Sequence, residues 1–297
     1  MALLTSARLS LDRMSRRAGR PDRSGTIGLG SPVVELDART ELALLSHFDY
    51  FRDASRRAPG GAVHEEDGLL LYAGPHSLPL LVNGAIRVEP GLGAAEVLDR
   101  ARTFFGARQR GFSIYALVGR DDDLIDAADE AGMISFGEPA PLMVLTEPLW
   151  PADSPAGVRI ERATTPEQIA DAAAVCADAY AVYGMPADVA PACLVPATSL
   201  VPHIAVVTAY DQDGPVATAS VMATHGVGYI LWVATVQRAM KRGLGEAVTR
   251  AATVAGLDFG AQMTTLMASP MGAPVYRRMG FVDVGHLASR IAMDADA

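Results

Sequence analysis

Apolar positions along this chain recur in two alternating rhythms. The stretch ELALLSHFDYFRDASR (41–56) spaces them every three or four residues and predicts a helix. DGLLLYAG (67–74) and PLLVNGAIRV (79–88) are short apolar runs bounded by glycine, proline or charge, and predict strands. The pattern continues with a helix over AAEVLDRARTFFGARQ (94–109), a strand over FSIYALVG (112–119), a helix over LIDAADEAG (124–132) and a strand over APLMVL (140–145). After PLWPADSPAGV (148–158), rich in Pro, Ala, Gly and Ser, it resumes. GVRIERA (157–163) reads as a strand, TPEQIADAAAVCADAYAVYG (165–184) as a helix and HIAVVTAY (203–210) as a strand. DQDG (211–214) is a hairpin turn leading to the strands PVATASVMATHG (215–226) and VGYILWVATV (227–236). A glycine turn with its helix, a strand QMTTLMAS (262–269), a short helix GAPVYRRMG (272–280) and a strand VDVGHLASRIAM (282–293) complete the chain. Strands alternate with helices, yet several neighbouring strands are joined by hairpins, so the fold class is α/β with a mixed sheet flanked by helices.

The two halves also resemble each other. RGFSIYALVGRDDDLIDAADEAGMISFGE (110–138) overlays FGAQMTTLMASPMGAPVYRRMGFVDVG (259–285), and matching Gly132 to Gly280 without a gap sets Ala128 opposite Tyr276. PGLGAAEVL parallels RGLGEAVTR, with Glu89 and Pro90 standing where the second copy has Lys241 and Arg242. The expected organisation is a basic, disordered tail over 1–32, a first domain over 33–147, a linker over 148–157 and a second domain over 158–297. The tail carries arginines at 8, 13, 16, 17, 20 and 23 against two acids, and lacks the apolar centre of a secretory signal.

Composition narrows the function. Half of the 297 residues are hydrophobic and a fifth are charged, enough for a full core. No apolar run approaches the roughly 20 residues that span a bilayer, so no membrane partner is expected. A formal charge of −9 argues against a nucleic-acid surface. Two cysteines, Cys176 and Cys193, do not make a disulfide framework, and a cytoplasmic setting is expected. The six histidines are scattered without ligand spacing, so no metal is expected.

The chemistry concentrates in VATVQRAMKRGLGEAVTRAATVAG (233–256). A strand, a Gly-rich turn and a helix form an anion site, because the first helical amides have no intrahelical acceptor and the helix dipole adds positive charge. Gly243 and Gly245 allow a phosphate close to the backbone, and Lys241 and Arg242 add charge. A dinucleotide fingerprint counted from Gly243 needs a third glycine where Val248 stands; a P-loop needs Lys and then Ser or Thr where Glu246 and Ala247 stand. Both are excluded.

Downstream, LMASPMGAPVYRRMGF (266–281) completes a second pattern. Together the two resemble the GNAT acetyltransferase superfamily, whose pyrophosphate loop has the form Q/R-x-x-G-x-G/A, here Met240-Lys241-Arg242-Gly243-Leu244-Gly245, and whose later Tyr on a short helix shortly precedes Gly-Phe, here Tyr276 before Gly280-Phe281. The resemblance covers roughly 158–293, and the first half looks like a degenerate copy, as in tandem GNAT proteins similar to mycothiol synthase. Met240, Gln237 and Ser269 depart from the Gln or Arg, Pro and Asn common in the family.

The resemblance implies acetyl-CoA as co-substrate, gripped by backbone amides from about 241 to 246, with Glu246 turned away. It implies that Val233, Ala234 and Thr235 splay from MTTLMAS to bond the pantetheine arm, with Ser269 nearby, and that Tyr276 protonates the departing thiolate. A small-molecule amine is the implied acceptor. Tyr180, Tyr183, His225 and Tyr229, with Trp232, are the acceptor-side residues, and no general base is identified. The first half, lacking the basic pair and the tyrosine, is expected only to wall the acceptor cleft. The chain is expected to be a monomer or homodimer. The alternative function is a non-catalytic acyl-CoA-binding or sensing protein, and a third an interaction protein that retains the fold.

Overall fold

The computed structural model describes residues 37–147, 149 and 154–294; the basic tail over 1–32 and half of the 148–157 linker lie outside them. The first half contributes α1 (Ala38–Arg57), β1 (Ala62–Glu66), β2 (Leu69–Ala73), β3 (Asn83–Arg87), α2 (Ala94–Gly106), β4 (Phe112–Leu117), α3 (Asp122–Glu130), β5 (Ile134–Ser135) and β6 (Ala140–Leu145). The second contributes β7 (Arg159–Arg162), α4 (Pro166–Tyr180) running into a 3₁₀ turn (Ala181–Tyr183), and the short α5 (Val189–Cys193) and α6 (Pro196–Ser199). It continues with β8 (Ile204–Asp211), β9 (Gly214–Thr224), β10 (Val227–Thr235), α7 (Leu244–Asp258), β11 (Met263–Met267), α8 (Ala273–Arg278) and β12 (Val282–Ala292). The sequence rhythm finds the long elements to within a few residues. It misses β1, whose AVHEE is too polar to register as a strand, and β5, which is two residues long.

One mixed sheet runs through both halves in the order β1-β2-β3-β4-β12-β6-β11-β10-β9-β8-β7, with β5 paired to β12. Two pairs are parallel, β3 with β4 and β10 with β11; the rest are antiparallel. The last strand of each half lies with the other half. β6 pairs with β11, β12 pairs with β4, and β6 and β12 meet at the centre. Each half therefore completes its partner's sheet.

The sheet is buried on both faces. Leu69, Leu71 and Ala73 of β2 pack under α2 and α3, whereas Leu70 and Tyr72 face α1 with its Leu44, Phe48 and Phe51. Such strands read as continuous apolar runs, as LLLYA does. Helix α1 also packs on Val227 and Met263, so a first-half helix covers the seam.

The internal repeat is visible in the hydrogen bonds that end the two short helices. After α3, the amide of Gly132 bonds the Asp129 carbonyl (3.0 Å) and that of Met133 bonds the Ala128 carbonyl (3.0 Å). After α8, Gly280 bonds Arg277 (3.1 Å) and Phe281 bonds Tyr276 (3.0 Å). Both glycines have positive φ, +76° and +98°, which an L side chain resists. The register that sets Ala128 opposite Tyr276 thus has the same backbone geometry in both halves.

Candidate active site

Strand β10 carries the geometry that matters. Its parallel pairing with β11 ends at Ile230–Leu266, but it continues to Thr235 against β9, through a bulge between Leu231 and Ala234. Trp232 sits in the bulge at φ +51°, a conformation aromatic residues rarely adopt and one that marks functional segments. Past Ile230 the edge of β10 that faced β11 has no ladder partner, since β11 ends at Met267. Val233, Ala234 and Thr235, expected to splay from β11, lie in this unladdered stretch.

The glycine turn follows that stretch. Lys241 (φ +62°) and Gly243 (φ +75°) are both left-handed, and helix α7 starts immediately after Gly243. The first amide that bonds back is Ala247, to the Gly243 carbonyl at 3.1 Å; those of residues 241–246 donate to no backbone or side-chain acceptor among the described residues. Alternating backbone handedness ahead of a helix turns successive amides inward into an anion-binding concavity. A Cβ built on Gly245 would lie 3.6 Å from Thr235 Oγ1, so the turn abuts the end of β10.

The charged side chains behave unequally. Arg242 reaches Asp211 (3.1 Å), as does Arg238 (2.9 Å). Arg238, together with the Asp213 amide and Arg242, holds the Asp211 carboxyl well below the usual carboxylate range. Glu246 is bonded back along the helix by Arg250 (2.8 Å). Met240 and Lys241 are exposed, and Leu244 is buried beneath the turn.

Tyr276 is buried and packs edge-on against Phe281, ring centroids 5.8 Å apart. Burial pushes its hydroxyl pKa up, a hydrogen bond with Thr249 opposes that shift, and nearby Tyr183 reinforces it. The Thr249 hydroxyl in turn donates to the Gly245 carbonyl (2.8 Å), tying the tyrosine to the turn. Tyr180 donates to the Val233 carbonyl (3.0 Å), which takes up that carbonyl as a partner for the coenzyme arm. The Tyr183 hydroxyl is buried with no partner among the described residues. Ser269 accepts from the Gly272 amide (3.1 Å) and so caps the turn into α8.

Two expected acceptor-side residues lie elsewhere. His225 is in the β9–β10 hairpin, at the opposite end of β10 from the unladdered stretch, and pairs with Asp49 of α1 (2.8 Å). Tyr229 points into the core beneath α1, its hydroxyl 2.7 Å from Nδ1 of His47. Strand alternation puts Val227 and Tyr229 on the α1 face; sequence alone does not say which face is covered. Tyr50 was not foreseen. Its hydroxyl accepts from the Trp232 indole (2.7 Å), so a first-half helix touches the bulge from 182 residues away. A separation of that size leaves no local signal.

Beside the bulge, a narrow cleft between the halves is lined by Tyr50, Phe51, Ala54, Cys193, Thr198 and Trp232. Among the described residues no helix is long and apolar enough to cross a membrane, and no cluster of His, Cys, Asp and Glu could hold a metal ion.

No protein-family model matches the sequence, and no curated protein sequence matches it. Solved structures do. A GCN5-related N-acetyltransferase from Kribbella flavida is 25% identical, with a TM-score of 0.61 over 86% of this chain and 94% of that one. A tandem GNAT protein from the clavulanic acid biosynthesis pathway is 15% identical, with a TM-score of 0.55 over 87% and 96%. A GCN5-related N-acetyltransferase from Sphaerobacter thermophilus is 14% identical, with a TM-score of 0.52 over 77% and 81%. With a β10–β11 ladder that stops at Ile230, a glycine turn of unpartnered amides and a repeat that exchanges its last strands, this chain has the GCN5-related N-acetyltransferase (GNAT) fold in a tandem arrangement.

Proposed function

We propose that the protein is an acetyl-CoA-dependent N-acetyltransferase acting on a small-molecule amine, with its active site in the second half. The observation that carries this reading is the row of unpartnered amides at 241–246, set where β10 and β11 part. Amides in the turn and first helical turn have no intrahelical acceptor and carry the positive end of the helix dipole, so a row of them suits an anion such as a diphosphate.

The bound thioester supplies an activated acyl carbon and a thiol leaving group. The residues of this chain do the rest. Amides 241–246 hold the diphosphate, and Lys241 adds a cation at the rim. The unladdered edge of β10 beyond Leu231 offers backbone groups to an extended amide arm, one of which can polarise a carbonyl. Tyr276, kept protonated by burial, is the proton donor of this reading, giving its proton to departing sulfur. The first half closes the other side of the bulge through Tyr50.

Calorimetric titration with acetyl-CoA tests the reading, with Gly243→Val as the control. A valine at φ +75° displaces the turn, and its side chain occupies the approach to the amides. Coenzyme affinity is expected to fall by about 100-fold or more, given that charge-assisted bonds contribute about 1.5–3 kcal/mol each. Equal affinity in the variant would refute the amide site. Thiol release on an amine panel then separates an enzyme from a sensor that binds the coenzyme without turnover.

A further inference from the structure

We propose that the acceptor is an amine already unprotonated at neutral pH, an aryl- or alkoxyamine on a small uncharged body, reaching the thioester along the cleft between α1 and Trp232. The proposal rests on the reading above and narrows its substrate class.

The groups around the bulge show what the site lacks. The titratable side chains brought to it are Tyr50 from α1, Cys176 and Tyr180 from α4, Tyr183 from the 3₁₀ turn, Cys193 from α5 and Tyr276 from α8. Burial raises Tyr50, Tyr180, Cys176 and Tyr276 and pushes the Cys193 thiol up to about 12, so these five are uncharged at neutral pH. Five carboxylates on and beside these elements have partners of their own. Asp49 pairs with His225 (2.8 Å) and Asp53 with Arg57 (2.9 Å) and His203 (3.1 Å). Asp171 accepts from Tyr210 (3.0 Å), Asp178 from the Gln237 amide (2.8 Å), and Asp188 faces His76 (3.5 Å).

Among the described residues that line the cleft there is no carboxylate and no imidazole, so no lining side chain holds an ammonium or takes its proton. An alkylamine with a conjugate-acid pKa near 10 is only about 0.1% neutral at pH 7, and its charged form would lose hydration in a cleft with no counter-ion. An arylamine avoids both costs. The cleft walls are Tyr50, Phe51 and Trp232, aromatic faces suited to a flat ring. Trp232 already donates to Tyr50, which leaves the Tyr50 hydroxyl proton available for one acceptor atom on the substrate. The cavity is about 30 Å³, little more than a water's space, so the body must be thin and the two rings must part slightly to admit it.

The chemistry balances without a base. The amine nitrogen bonds the thioester carbon, the carbon–sulfur bond breaks, sulfur takes a proton from Tyr276, and the proton shed by nitrogen restores that hydroxyl. The products are an N-aryl or N-alkoxy amide and a free thiol.

The test uses the full chain with acetyl-CoA and three amines: aniline, methoxyamine and benzylamine. Thiol release should be at least about 100-fold faster in kcat/KM at pH 7 for aniline or methoxyamine than for benzylamine. Their rates should be flat from pH 6.5 to 8.5, while that for benzylamine climbs about tenfold per unit. Ala54→Trp, which fills the cleft, should weaken calorimetric binding of aniline at least about tenfold and leave coenzyme affinity as in the parent. A flat profile with benzylamine as the better substrate shows a base and overturns the proposal. Thiol release with other amines but none of these three also overturns it, and leaves the acetyltransferase reading standing. Failure of acetyl-CoA itself to bind overturns both.

Discussion

The two halves place a Gly-Leu-Gly turn at the same point of the sheet and surround it with different side chains. In the second half, β10 outruns β11 and the turn begins a helix at its first glycine, leaving six amides, 241–246, without acceptors. In the first half, β3 stops at Arg87 and the helix begins only after Gly93. The Arg87 side chain, 2% exposed, fills the space between strand, turn and α3. It bonds Asp121 (2.9 Å), Asp123 (2.6 Å) and the Leu92 carbonyl (3.1 Å). Asp121 also accepts from the Leu117 amide (2.8 Å) and Arg120 (2.7 Å). The first turn bonds within its own half: the Glu89 amide donates to the Gly68 carbonyl (3.1 Å) and the Leu92 amide to that of Glu89 (3.3 Å), while the buried Arg87 ties the Leu92 carbonyl to Asp121 and Asp123.

The largest expected effect comes from breaking the Arg87 pairing in the first half. Arg87→Leu leaves Asp121, fully buried, with only part of its partners. Removing one member of a buried pair costs about 3–5 kcal/mol, so denaturant unfolding should show a loss of that order. Calorimetry on the folded fraction should still find one coenzyme per chain, because Glu89 and Pro90 stand where the second turn has Lys241 and Arg242. A stoichiometry of two would mean that Arg87 alone separates the halves.

Next comes the tyrosine that Ala128 replaces in the first half. Tyr276→Phe keeps the ring against Phe281 and removes the proton donor, so turnover should fall roughly 100-fold with coenzyme affinity unchanged. Parental turnover would show that the tyrosine packs and does not act.

The seam gives a pH prediction. His47 is fully buried, and desolvation lowers its pKa from 6.5 to about 3. The unfolded chain therefore binds a proton that the folded chain refuses, and stability falls as pH drops below 6.5, continuing down to about 3. At pH 5 that amounts to about 2 kcal/mol. Unfolding measured at pH 7 and pH 5 should show this loss, and His47→Phe should lose less between the two pH values. An unchanged difference would remove His47 from the account.

The smallest effect belongs to the basic pair that distinguishes the turns. Arg242 is exposed and shares Asp211 with Arg238, so Arg242→Ala should weaken coenzyme binding only a few-fold and flatten its salt dependence slightly. A loss as large as that of Gly243→Val would move the site from backbone to side chains.

Much of this was legible in the sequence because it is local. The apolar rhythm finds the long helices and strands, and the glycines at 132, 243 and 280 mark backbone that must turn left-handed. The turn chemistry excludes a P-loop from two adjacent residues. Whether amides 241–246 have acceptors, by contrast, depends on where β10 leaves β11. His225 and Tyr229 shared a stretch with Trp232, yet only the bulge residue reaches the cleft.

The sequence by itself determined the long elements, the repeat and the Gly-Leu-Gly turn, since these follow from side-chain period and backbone handedness over a few residues. The tertiary structure alone decided the exchange of β6 and β12 across the centre, the buried pairing of Arg87 with Asp121, and the meeting of Tyr50 with Trp232. Each of these joins residues far apart in the chain, where burial and pairing select the partner and no local pattern records the choice.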